Sequence, residues 1–377
     1  MHIIYFLTLL LSLHGISYHY RRNIINRRKS MLLSSLTGET LDLRSLESHL
    51  SWIGCISHHE ASKLLKYKPT LASSMIDKFL KVNGSIDLGY SSRELLIDNT
   101  GVGIDYNSDE EKVNHLITWD ELEDVIKKKN ACFTLYDDGS KPWQISTVSA
   151  TSKRPASLCP PLNDATFTGS SSSRNAPTLL LGGFTMHRIS GENVNPYVDT
   201  EAKLASISPT YFHGDSKILD TCMGLGYTCI GAARRIAAAG HSKSQGRVTT
   251  IEMDDASIEM CAYNPWSQQL FDGSLPIDIL KGDACNIIKS FSSNSLDVVI
   301  HDPPARALCE SDLYGLLFYS ELFRVINKPK GCLFHYIGNP ASKESGRLYK
   351  GVITRLQEAG FRDVQVSKEA FGVVAYT

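Results

Sequence analysis

The chain has 377 residues, 42% of them hydrophobic and 21% charged, with a formal net charge of −1. That length and apolar content predict two domains and a sizeable core. Its nine cysteines are odd in number and form no C-x-x-C, which excludes a disulfide scaffold and a zinc site and fits reduced, buried thiols.

Residues 3–13 form an apolar run of eleven, too short to span a bilayer and about as long as a signal-peptide core, although no Lys or Arg precedes it. Residues 14–38 carry Arg21, Arg22, Arg27, Arg28 and Lys29 with no acid before Glu39, a transit-like composition. A targeting leader over 1–38 built this way suits a plastid reached through the secretory route. A start at Met31 would instead leave a mitochondrial or cytosolic protein. Without residues 1–30 the net charge of −1 becomes −6, because five bases and no acids are lost. Such an acidic body argues against a broad nucleic-acid surface, whose affinity comes from neutralised phosphates. No stable membrane span is expected.

Residues 41–84 read as a helical segment, with apolar positions in 41–52 and 71–82 before the Asn83-Gly84 break. A small α+β domain follows over 85–150. Within it, 95–104 suggests a hairpin, Thr118-Trp119-Asp120-Glu121 a capping box opening a helix to about Lys129, and 131–149 a second hairpin. This domain would be a lid, a substrate domain or a packing module. Pro155, Pro160, Pro161 and the serines at 170–173 make 151–176 a linker.

From residue 177 to 377 the texture is that of an α/β domain. Residues 178–181 suggest a strand, Gly182-Gly183 a turn and 199–207 a helix. In this approach segment Arg188 either binds a substrate carboxylate or phosphate or pairs with Asp199 or Glu201. Residues 217–222 are an apolar strand interrupted by Asp220, Gly224-Leu225-Gly226 a tight turn, and 228–239 a helix. Further strands at 247–254, 277–283 and 295–302 also end in acids. Asp220, Glu252, Asp283 and Asp302 would therefore converge outside the carboxyl ends of a parallel sheet. Residues 331–338, 363–370 and 372–376 bring the strands to seven, with a helix over 345–359. Asn264-Pro265-Trp266 reads as an N-cap, a first-turn proline and a core aromatic, at the end of the sheet away from the cofactor. A nicotinamide dinucleotide site is the rival for the glycine turn. Its fingerprint needs a small residue where Cys229 stands and an acid about 20 residues on, whereas Glu252 lies 26 beyond Gly226.

These stretches, above all DTCMGLGYT at 220–228 and HDPP at 301–304, resemble the class I S-adenosylmethionine (SAM) dependent methyltransferases. Pro177-Thr178-Leu179, Met186-His187-Arg188-Ile189 and Asn264-Pro265-Trp266-Ser267 are similar to a branch known as predicted archaeal methyltransferases. The resemblance covers residues 175–377 well and 85–150 loosely. It implies an α/β fold, the class I methyltransferase (Rossmann-like) seven-stranded sheet with a smaller N-terminal α+β domain, and S-adenosyl-L-methionine as cofactor. By position, Asp220, Cys222, Gly224 and Gly226 would hold the methionine part, Glu252 the ribose hydroxyls, Met253 one adenine face, and Asp283 with Ala284 the adenine edge. Cys222 stands where the family often has a further glycine, which would narrow the methionine slot.

The same resemblance makes Asp302, Pro303 and Pro304 catalytic, presenting an acid and a carbonyl to an amino group. Ala305 replaces the aromatic of amino-methylating relatives, so a flexible amine held by Asp302 with Tyr314 or Tyr319 stands beside a nucleobase as acceptor. His301 and His335 are candidate proton acceptors. The implied reaction is methyl transfer to nitrogen on a small amine or an RNA base, with no metal. Two alternatives stay open: aminopropyl transfer from decarboxylated SAM, and a non-catalytic SAM-binding or assembly subunit. The oligomeric state is not legible in the sequence.

Overall fold

The structure, a computed structural model, describes residues 52–69, 79–104, 114–162, 175–189, 194–241, 243–309 and 311–377. The expected leader lies outside the described residues. The N-terminal part holds β1 (Trp52–Ile56), β2 (Leu80–Gly84), β3 (Arg93–Ile97), β4 (Gly101–Ile104), β5 (Asn114–Thr118), β6 (Phe133–Tyr136) and β7 (Trp143–Gln144). β2-β3-β4-β5 is an antiparallel meander, and β1-β6-β7 a second antiparallel sheet. Helices His58–Leu65 and Trp119–Lys127 start at capping boxes, Ser57 with Glu60 and Thr118 with Glu121. Ile56, Leu64, Leu95, Ile97, Val102 and Leu122 close the core between them.

The helical reading of 41–84 is corrected: its described residues form β1, one helix and β2. β2 is held by a ladder in which Leu80 faces Ile97 and Val82 faces Leu95. Strand propensity realised through such distant partners leaves little local trace. For the described residues 151–162 the linker reading is corrected as well. Pro155–Cys159 is β9, flanked by β8 (Ser146–Val148) and β10 (Thr178–Leu181), with β11 (Phe184–Thr185) at the edge. Proline is tolerated there because it is the first residue of the strand, and Ala156 and Leu158 then point into the core.

The C-terminal sheet contains β12 (Lys217–Asp220), β13 (Arg247–Glu252), β14 (Ile277–Lys281), β15 (Val298–His301), β16 (Cys332–Tyr336), β17 (Asp363–Ser367) and β18 (Gly372–Tyr376). Its order is β14-β13-β12-β15-β16-β18-β17, and β18 runs antiparallel to both neighbours. Ile218, Val298 and Phe334 fill one face while Leu219, Val299 and Leu333 fill the other. Burial on both faces yields near-continuous apolar runs, which is why the sequence locates these strands. The fold is Rossmann-like with an N-terminal subdomain. Order reverses between β12 and β15, and a crevice opens there at the carboxyl ends.

The two parts share one core, to which Cys55, Leu88, Cys132 and Ile145 contribute from one and Leu225, Trp266 and Ile300 from the other. Trp266 Nε1 also donates to the Leu88 carbonyl at 3.1 Å. Among the described residues no helix is long and apolar enough to cross a membrane.

Candidate functional site

The crevice floor is the turn after β12. Thr221 N–H donates to the Ile300 carbonyl at 3.0 Å and Met223 N–H to that of Ile251 at 2.9 Å, so the turn is pinned across the tips of β15 and β13. Gly224 and Gly226 have φ of +52° and +77°, a region that favours glycine. A Cβ at Gly226 would lie 2.6 Å from a Leu270 methyl, whereas one at Gly224 would meet nothing within 4 Å. Gly226 is therefore a packing requirement, and Gly224 faces open crevice.

Glu252, at the end of β13, is tied to this turn. Its Oε2 accepts from Gly224 N–H at 2.9 Å and its Oε1 from Asp254 N–H at 2.8 Å. Each carboxylate oxygen has a second lone pair for a ligand hydroxyl. Burial raises the Glu252 pKa to about 7 against the pull of those two N–H groups. Cys222, Gly224, Met253, Asp283, Ala284, Asp302, Pro303 and Pro304 line the same crevice. Asp283 also caps the short helix after β14, accepting from Cys285 N–H at 2.9 Å.

Asp220 is a correction. It is buried behind the turn, takes the Thr250 hydroxyl at 2.8 Å and does not line the crevice. Burial pushes its pKa up to about 8 although the Thr250 hydrogen bond opposes this. Its carboxyl braces the glycine turn from below.

Asp302 is met by a partner the sequence does not announce. Lys203 Nζ, on the helix Pro196–Ala205, lies 2.7 Å from Asp302 Oδ2 and 2.9 Å from Asp199 Oδ2, with its side chain 1% exposed. Burial works against the Lys203 charge, but Asp199 and Asp302 outweigh it and hold its pKa above the ordinary value. Burial raises Asp302 while Lys203 pulls it back. The one trace in the sequence is the Asp199 and Lys203 spacing of four on a helix leading into β12. Of the two roles open to Arg188, the structural one holds. Its guanidinium pairs with Asp199, donates to the Glu369 carbonyl at 3.0 Å and lies 4.1 Å over the Phe371 ring.

Neither candidate proton acceptor reaches the crevice. His301 is buried with Nδ1 2.7 Å from Thr221 Oγ1 and Nε2 2.9 Å from the Leu313 carbonyl, and burial lowers its pKa to about 3. His335 is also buried, with Nε2 2.7 Å from Tyr319 Oη. Tyr314 donates to the Pro304 carbonyl at 3.0 Å, and both tyrosines are buried outside the crevice lining, so neither reaches a bound amine. The placement of Asn264-Pro265-Trp266 is corrected too. Asn264 Nδ2 donates to Tyr227 Oη and Ser267 Oγ at 2.8 Å each, and Ser267 Oγ to the Leu225 carbonyl at 2.7 Å, so this segment buttresses the glycine turn.

The opposite wall comes from the β8–β9 hairpin and β10. Ser149 and Ser152 hydroxyls reach Asp254 Oδ2 at 2.8 and 3.4 Å, latching the hairpin onto the tip of β13. Thr151, Ser152, Arg154, Leu179, Leu181 and His187 line the crevice from this side. The sequence reading misses them because a Ser- and Pro-rich stretch looks like solvated chain.

No family model matches the chain. A curated relative, an uncharacterized protein of Methanocaldococcus jannaschii, is 46% identical over 200 residues, which are 53% of this chain and 63% of the relative. The match thus spans less than two thirds of that relative's length. Among solved structures, the spermidine synthase of Thermotoga maritima is 15% identical over 61% of this chain and 69% of that one, with a TM-score of 0.41. A SAM-dependent methyltransferase from Aquifex aeolicus is 19% identical over 47% and 88%, at a TM-score of 0.34. Another from Archaeoglobus fulgidus is 15% identical over 48% and 93%, also at 0.34.

Proposed function

We propose that the chain is an enzyme that transfers an alkyl group from a SAM-type sulfonium donor to a nitrogen acceptor. The carrying observation is Glu252, bonded to the Gly224 N–H across the switch point from Asp302, in one crevice. The residues fit the donor. Open space beyond Gly224 would admit the methionine part beside Cys222, Glu252 would take the ribose hydroxyls, and Met253, Asp283 and Ala284 would frame the adenine. When bound, the donor supplies a carbon made electrophilic by the sulfonium. What the chain adds is alignment, the main source of rate in such a displacement. Lys203 fixes Asp302 Oδ2, so Oδ1 is left to accept an N–H from the acceptor and turn its lone pair toward the donor. Pro303-Pro304 stiffens the presentation, and Tyr314 anchors the Pro304 carbonyl.

Methyl and aminopropyl transfer both belong to this reading. The acids lining the crevice, Glu252, Asp254, Asp283 and Asp302, favour a polyamine-like cation and hence decarboxylated SAM. Lys203 already neutralises Asp302, which favours a neutral amine and methyl transfer. The test is turnover with amine and RNA acceptors, read as S-adenosylhomocysteine released from SAM or 5′-methylthioadenosine from decarboxylated SAM. Asp302→Asn should keep donor binding and lower turnover about a hundredfold. Unchanged turnover would remove Asp302 from the chemistry, and donor binding without turnover on any acceptor would leave a binding subunit.

A further inference from the structure

Among the described residues lining the crevice, Arg154 is the one Lys or Arg, and none of their carboxylates pairs with it. Each acid there is engaged elsewhere: Glu252 by two backbone N–H groups, Asp254 by Ser149 and Ala256, Asp283 by Cys285, and Asp302 by Lys203. Arg188, which the sequence offers as an anion reader, is spent on Asp199. A half-buried arginine lining an acidic crevice with no carboxylate of its own is the arrangement that an incoming anion completes, since its planar fork binds carboxylate or phosphate bidentately.

The fold also fixes where this side chain sits. Ser149 N–H donates to the Arg154 carbonyl at 2.8 Å and Ser152 N–H to Ser149 Oγ at 2.8 Å, closing the hairpin that Ser149 and Ser152 latch to Asp254. The stem of Arg154 lies across the turn between β10 and β11. Gly182 there has φ of +58°, and a Cβ on it would lie 2.9 Å from Arg154 Cδ. Gly182 thus answers two needs, a left-handed turn and room for the arginine.

We propose that Arg154 is an anion-recognition residue of the crevice, receiving a carboxylate or phosphate carried by the donor or the acceptor. The inference deepens the sulfonium-transfer reading and rests on it only for the donor source. A donor carboxylate would make Arg154 the residue that distinguishes SAM from its decarboxylated form. An acceptor anion would make the substrate an amine that also bears a negative group.

Calorimetric titration of the wild type, Arg154→Gln and Arg154→Lys separates the sources. SAM, decarboxylated SAM and 5′-methylthioadenosine are titrated first. Inorganic phosphate is then titrated into the free protein and into its S-adenosylhomocysteine complex. If the anion is the donor's, R154Q weakens SAM about tenfold or more, R154K less, and the two ligands lacking a carboxylate are unchanged. If it is the acceptor's, each of the three adenosyl ligands binds R154Q as it binds the wild type, and phosphate affinity falls by a similar factor in R154Q. R154Q matching the wild type in both titrations overturns the proposal. A wild type that ignores every adenosyl ligand overturns the transfer reading instead, and phosphate binding to the free protein still decides Arg154.

Discussion

At the residue scale, the polar chain from Arg188 through Asp199 and Lys203 to Asp302 governs how the crevice presents its acid. Replacing Lys203 with Met leaves the largely buried Asp302 without its cation and buried Asp199 with Arg188 alone. That should destabilise the protein by about 3–5 kcal/mol, read from denaturant midpoints at constant slope. A loss under about 1 kcal/mol would mean that the pair is solvated. Asp220 and Glu252 set a second expectation, because burial raises them from 3.8 and 4.5 to about 8 and about 7. Between the unfolded and folded values the native state binds more protons than the unfolded chain. Their contribution is therefore full below about pH 4 and is lost as pH rises through 7 to 8. Below about pH 6.5 buried His187, His301 and His335, whose pKa values burial lowers, work the other way, so the ligand-free melting temperature should fall between about pH 6.5 and 8.5, and Asp220→Asn should flatten part of that slope. A profile rising over the same range would contradict the burial argument.

At the scale of elements, the glycine turn separates two kinds of constraint. Gly226→Ala combines a positive φ with a 2.6 Å contact to Leu270 and should destabilise by about 2–4 kcal/mol. Gly224→Ala has the strained φ but no clash, so it should lower stability by only about 1 kcal/mol while weakening donor binding, measured by melts with and without SAM. Equal stability losses in both would show that the crevice side of the turn is filled by protein. The seven strands and their carboxylate ends were legible because β12, β15 and β16 are apolar on both faces. β2 was not, because only Val82 and its neighbours' distant partners in β3 make it a strand. β9 was hidden by Pro155 and the serines around it. Of the site, Glu252 and Asp302 could be read from strand ends, whereas Lys203 and Arg154 could not. Both lie on segments that meet the crevice only through tertiary packing.

At the scale of the whole molecule, the N-terminal sheets and the seven-stranded sheet share one core and are latched at Asp254. Unfolding followed by tryptophan fluorescence and by far-ultraviolet dichroism should give coincident transitions. Two separated transitions would show independent domains and leave the crevice wall formed by the β8–β9 hairpin mobile. The crevice between these parts is where the proposed donor would bind. Thermal unfolding with SAM, S-adenosylhomocysteine, decarboxylated SAM or NAD, each at about 100 times its dissociation constant, tests that directly. A ligand of the native state adds about 2.7 kcal/mol at that ratio. Stabilisation by adenosyl sulfur compounds with none from NAD is expected. Stabilisation by NAD alone, or by none of the four, would contradict the sulfonium-transfer reading.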